Sequence, residues 1–121
     1  MNPQSLSADA LRELGMHPKY KGYAYLLCIL PAAAKNPVYA YNLKQAGYPL
    51  VMQYYDVSIA GVERNIRFAI NKTWEEGNQA AIHRYFGAYE TGYAPTNSEF
   101  IAVLIECIQY DRVMHRRRAH I

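Results

Sequence analysis

Only two cysteines, Cys28 and Cys107, occur in the 121 residues. They stand far apart inside apolar stretches and read as small buried hydrophobes in a reducing compartment, with a disulfide between them the lesser reading. No apolar run is long enough to span a bilayer: the longest, 26–34, is too short and contains Pro31. Residues 1–15 lack the apolar core of a secretory signal. The expectation is therefore a cytoplasmic chain with no membrane association. Charge of one sign is also modest, at a net +3, so charge alone does not announce a nucleic-acid binder. Strand signals are scarce. No internal repeat or low-complexity segment occurs, and no glycine-rich loop suits a phosphate, because the glycines punctuate helices. His17, His83, His115 and His120 lack the spacing of a zinc site. Neither a Ser–His–Asp nor a Cys–His arrangement can be assembled with any force. Together these absences point away from an enzyme, a metal centre or a bound cofactor.

What remains is helical spacing and enough apolar residues for one core. The chain is expected to be a single domain over 1–121, with an ordered core over 7–111 and a basic tail over 112–121. Its fold class is all-α, a compact bundle of about six helices containing a helix-turn-helix. Ser7 is a candidate cap for a short helix over 8–14, closed by Gly15. A second helix is expected over 23–35, kinked or ended early by Pro31. A third covers 38–46, with Gly47 at its C′ position. Pro49 then starts a helix that reaches residue 55. Asp56, Val57 and Ser58 form a tight turn, in which Asp56 tolerates the left-handed conformation and Ser58 caps the next helix.

The clearest element is 59–76. Ile59, Val62, Ile66, Ala69, Ile70, Thr73 and Trp74 recur at helical spacing and define a buried stripe. Gly77 stops this helix, and Asn78 caps a short one through Phe86. After a loop over 87–95, Thr96 and Glu99 form a capping box. The last helix turns Phe100, Ile101, Leu104, Ile105 and Ile108 inward.

A helix-turn-helix needs a short helix packed across a second, with the N-terminal half of the second free to meet base edges. The stretch 48–74 meets that pattern. With Val62, Ile66 and Ile70 buried, the opposite face presents Ala60, Glu63, Arg64, Arg67 and Asn71. Arg64, one turn in, can bond bidentately to guanine O6 and N7. Glu63 can accept from a cytosine amino group or hold the Arg64 fork. Arg67 suits a phosphate or a second base. Ser58, Ala60, Arg67 and Asn71 are the candidate backbone or secondary contacts, and the small Ala60 and Gly61 allow close approach to the duplex. The same spacing also serves plain packing units whose polar face is merely solvated, and the charge of 59–76 is about zero.

The run from Gly61 to Ile70, GVERNIRFAI, resembles the recognition helix of the stage-zero sporulation protein A family. Trp-Glu-Glu-Gly-Asn at 74–78 and Pro-Thr-Asn-Ser-Glu-Phe-Ile-Ala at 95–102 are similar as well. So are Leu-Arg-Glu-Leu-Gly at 11–15 and Lys-Gly-Tyr-x-Tyr-Leu at 21–26. The resemblance covers nearly the whole chain. It implies a six-helix DNA-binding effector domain that reads a TGTCGAA-type box in double-stranded DNA, usually as two domains on tandem boxes. It implies base reading by Glu63 and Arg64, backbone support from Arg67, and contact with the sigma subunit of RNA polymerase through later helices. Family regulators join this effector to a phosphoacceptor receiver, and nothing in the chain resembles one. Six residues at four places depart from the family pattern. Ala60-Gly61 replace Ser-Arg, Phe68 replaces a His, Gln45 replaces a Lys, and Tyr93-Ala94 replace Gly-Lys. Each removes a phosphate or base-flanking contact, so the expectation is weaker binding or a shifted site. The competing expectation is a protein-interaction module that binds the sigma subunit or antagonises a full-length regulator.

Overall fold

A computed structural model describes residues 2–87 and 93–119, with side chains through Tyr110. The side chains of the basic tail, Arg112 and Arg116 to Arg118, lie outside the described residues, as does most of the 87–95 loop. Among the described residues there are seven α-helices and one π-helical segment, and no strand. In order they are α1 (Pro3–Leu14), α2 (Lys21–Lys35), α3 (Val38–Tyr41), a π segment (Leu43–Gly47), α4 (Tyr48–Met52), α5 (Ile59–Glu76), α6 (Gln79–Phe86) and α7 (Asn97–Ala119). This is an all-α bundle, and no described helix is long and apolar enough to cross a membrane.

The centre of the bundle is α2, which packs against α1, α3, α4, α5 and α7. Its Leu26, Ile29, Leu30 and Ala33 are fully buried. Pro31 neither ends this helix nor shortens it; α2 continues to Lys35. An interior proline costs about 3 kcal/mol, but a fully buried Leu or Ile gains roughly 1.5–3 kcal/mol. Three such residues sit within two turns of Pro31, so tertiary burial outweighs the local penalty.

Other differences have equally local causes. The first helix begins at Pro3, where Asn2 Oδ1 accepts from Ser5 N at 2.8 Å. Ser7 is therefore no cap: it is buried, and its hydroxyl donates to the Pro3 carbonyl at 2.6 Å. The expected helix over 38–46 is divided, because Ala46 and Gly47 N–H groups both return to the Asn42 carbonyl. Gly47 is right-handed at φ −66° and leads directly into α4, so it is not a C′ residue. The α4 helix ends at Met52 rather than residue 55, since the N–H groups of Tyr54 and Tyr55 share the Val51 carbonyl. Among the described residues only Gly15 has positive φ, so Asp56 does not take the left-handed form.

Several elements match the expectation residue for residue. Ser58 caps α5 by accepting from Gly61 N at 3.0 Å, and Asn78 caps α6 by accepting from Ala81 N at 3.1 Å. Thr96 and Glu99 form the reciprocal capping box of α7. Phe100, Ile101, Leu104, Ile105 and Ile108 all point into the core. Trp74, Phe86 and Phe100 meet there with ring centroids 4.9–6.3 Å apart, joining α5, α6 and α7.

Helices α2 and α5 approach each other closely at Gly22. A Cβ built there would fall against the Asn65 carbonyl, 2.8 Å from Ala69 Cβ and 2.9 Å from Ile66 Cα. Backbone meets backbone because neither side carries bulk. Gly22→Ala is expected to destabilise the domain by about 1–3 kcal/mol through overpacking, read as a lower urea midpoint at unchanged m. The capping box makes a pH prediction. Hydrogen bonds from Thr96 hold the Glu99 carboxyl below its ordinary value of 4.5. A carboxyl lowered on folding contributes stability above its unfolded pKa, which is lost as pH falls through the folded value. The Tm gap between wild type and Glu99→Gln is expected to shrink on acidification through that window.

Candidate nucleic-acid interface

The α5 helix buries Val62, Ile66, Ala69, Ile70 and Thr73 and leaves the opposite side open. Ser58, Ala60, Arg64, Arg67 and Asn71 are exposed, and Glu63 is half-buried. At about 100° per residue, Ala60, Arg64 and Asn71 form one line along the helix. Glu63 and Arg67 flank it on one side, and Phe68 and Lys72 flank it on the other. Ala60, Glu63, Arg64, Arg67 and Asn71 are thus brought onto one surface, whereas Ser58 precedes the helix and its hydroxyl is engaged at Gly61 N. Gly61 is not part of it. It is buried, and a Cβ there would meet Val57 Cγ2 at 2.8 Å. Its small size serves the turn against α5, not close approach from outside.

Within this surface Arg67 pairs with Glu63 at 3.6 Å, an (i, i+4) ion pair. The Glu63 carboxylate therefore does not brace the Arg64 fork. Arg64 makes no ion pair among the described residues and is available to a ligand. An exposed (i, i+4) pair is worth only about 0.3–0.5 kcal/mol, so it yields readily to a stronger partner.

Two walls flank the open line. One is formed by the π segment and the start of α7, where Lys44, Gln45, Tyr48, Glu63 and Ser98 border a cleft. Beneath it lies Asn97, which is only 5% exposed. Its Nδ2 donates to the Glu63 carbonyl at 3.0 Å and to the Tyr48 hydroxyl at 3.1 Å. Burial pushes the Tyr48 phenol up, partly offset by the Asn97 hydrogen bond. One side chain thus ties α7 and α4 to the first turns of α5. The second Asn97 amide atom, Oδ1, is buried with no hydrogen-bond partner, so the tie is kept at some cost.

The other wall is the loop over 17–20 with Lys21, the first residue of α2. Lys19 N donates to His17 Nδ1 at 3.0 Å, closing a turn. Tyr20 then packs edge-on to Phe68, with ring centroids 5.5 Å apart. Phe68 is 50% exposed, and Lys72 Nζ lies 5.9 Å from its ring centroid.

Sequence reasoning missed both walls. Asn97 stood inside the capping-box motif, where its neighbours Thr96 and Glu99 do the capping, and a residue not needed for the cap was the available signal. Phe68 was noted only as the replacement of a histidine. Tyr54 and Tyr55, beside the turn before α5, are exposed at 70% and 42%. Tyr55 also packs edge-on to Tyr25 at 5.3 Å, which makes it part of the α2–α4 joint rather than a free platform.

Replacing Asn97 by Ala is expected to cost about 1–3 kcal/mol in urea unfolding, since the Glu63 carbonyl and Tyr48 hydroxyl lose a buried donor. Asn97→Asp should cost more, because it sets a carboxylate oxygen against the Glu63 carbonyl. Equal stability of wild type and both variants contradicts the tie.

Over residues 8–108 the sequence matches the family model described as Sporulation initiation factor Spo0A C terminal.

Proposed function

Since the chain belongs to the Spo0A C-terminal family, whose members are DNA-binding effector domains of a sporulation regulator, we propose that it reads specific sequences in double-stranded DNA with α5 in the major groove. The observation that carries this is Arg64, exposed and in no ion pair among the described residues, one turn into a helix whose opposite face is core. A helix of about 10–12 Å diameter enters a groove about 12 Å wide with its buried stripe turned away. Arg64 then reaches a guanine edge and Glu63 a cytosine amino group. Arg67, at the flank, leaves its weak pair with Glu63 for a phosphate, releasing the carboxylate for base reading. Ser58, Ala60 and Asn71 supply the backbone or secondary contacts. The family supports a TGTCGAA-type box as the target, read by two copies on tandem boxes.

A second reading is a protein-docking role, toward the RNA polymerase sigma subunit or a full-length regulator that the chain antagonises. What favours it is an apolar edge between α3 and α7, where Val38 and Tyr41 are 41% and 85% exposed beside a groove lined by Pro37, Ala102 and Ile105. Large exposed apolar groups placed together suit a protein partner. Pull-down of purified sigma subunit by wild type but not by Tyr41→Ala supports this reading, and equal recovery by both counts against it.

Fluorescence anisotropy with box-containing and scrambled duplexes tests the DNA reading. Wild type should prefer the box. Arg64→Ala should lose about 1–3 kcal/mol of that preference, whereas Arg67→Ala should weaken both duplexes similarly and reduce the salt slope by about 0.9. Selection of bound sequences from a random duplex pool would then define the box. No enrichment at moderate salt contradicts the reading.

A further inference from the structure

We propose that the loop over 17–20 and the first residue of α2 form a second grip on the duplex: Lys19 and Lys21 contact the phosphate backbone that borders the groove on the Phe68 side of α5. This rests on the reading of α5 as the groove-binding helix. A helix seated in the major groove has a phosphate strand along each flank. On one flank stand Arg67, Lys44 and the start of α7. On the other, the helix itself offers Phe68, which is half exposed and cannot pair with a phosphate, and Lys72. Lys72 is outnumbered by Glu75 at 3.7 Å and Glu76 at 3.8 Å, so this flank of α5 carries no net positive charge. A net positive charge on that flank therefore comes from outside α5.

The loop is built to supply it. Tyr20 seats its edge on Phe68, and Lys19 Nζ lies 5.5 Å from the Tyr20 ring centroid. Lys19 and Lys21 are both exposed, and neither makes an ion pair among the described residues. The loop cannot drift from α5, because Gly22, the next residue, is pressed against the Asn65 carbonyl and Ile66 Cα. Phe68 is thus a brace. It exchanges a direct contact on its own helix for a fixed position of two lysines beside that helix. The ligand is phosphodiester, not a base edge, because ammonium groups on short turns act as point charges without bidentate readout.

The test is a salt titration of anisotropy on box and scrambled duplexes. Lys19→Ala/Lys21→Ala should make the slope of log K against log salt shallower by about 1.8, at 0.9 per phosphate contact. The ratio of box to scrambled affinity should not move. Tyr20→Ala should also flatten the slope although both lysines remain, since the loop loses its seat. Lys35→Ala serves as control. It removes one exposed charge at the far end of α2, about 20 Å away, and should leave the slope unchanged. A wild-type slope retained in the double variant overturns the inference while the DNA reading stands. Equal flattening by Lys35→Ala overturns it too, as an effect of net charge. Wild type that binds neither duplex overturns the DNA reading, and this inference with it.

Discussion

The contact between Gly22 and the middle of α5 constrains everything around it. A single missing Cβ lets α2 lie on the backbone of Asn65 and Ile66 and on the methyl of Ala69. That approach turns the stripe of Val62, Ile66 and Ile70 fully inward, against Leu26, Ile29 and Leu30. The far side of α5 has no choice but to face out. The same residue is the second of α2, just past the 17–20 loop, so the loop is carried to the flank of α5 by the helix crossing itself. Backbone-to-backbone packing of this kind has little slack, because interiors are close-packed and cannot deform continuously.

The outward surface is a composite, not a property of one helix. The α5 helix contributes Glu63, Arg64, Arg67 and Asn71, but their setting comes from elsewhere. Asn97 reaches from α7 to the Glu63 carbonyl and the Tyr48 hydroxyl, so the start of α5 is tied by a buried polar group instead of apolar contact alone. Such a group tolerates few alternatives, since its donors must find those acceptors. The Glu63–Arg67 pair is the opposite kind of interaction, weak and exposed. In the proposed reading it keeps the two side chains apart from Arg64 until phosphate and base offer better partners.

Two of the departures from the family pattern gain a physical meaning. Gly61 sits under Val57 at the turn, where its lack of a side chain relieves crowding. Phe68 does not simply delete a polar contact. It meets Tyr20 and draws a loop with two lysines to its side. The grip expected to be weaker from the sequence is, on this proposal, partly moved from α5 to the loop.

From sequence alone, the local elements with strong chemistry were legible. The start of α5 with its Ser58 cap, the Asn78 cap and the Thr96–Glu99 box rest on hydrogen bonds between residues three apart, and nothing in the packing around them competes for those groups. The apolar stripe of α5 likewise identified its free face by elimination. What local rules misjudged was decided by burial: Pro31 stays inside α2, Ser7 turns inward instead of capping, and the stretch 38–47 winds as an α turn followed by a π segment. The pairing across 34 residues from Asn97 to Glu63 left only a residue that the cap does not need as its trace in the sequence, and that between Tyr20 and Phe68 left none. Periodicity tells which face of a helix is buried, but not which distant element comes to lie beside its exposed edge. Only the crossing of α2 over α5, with its two flanking walls, decided that.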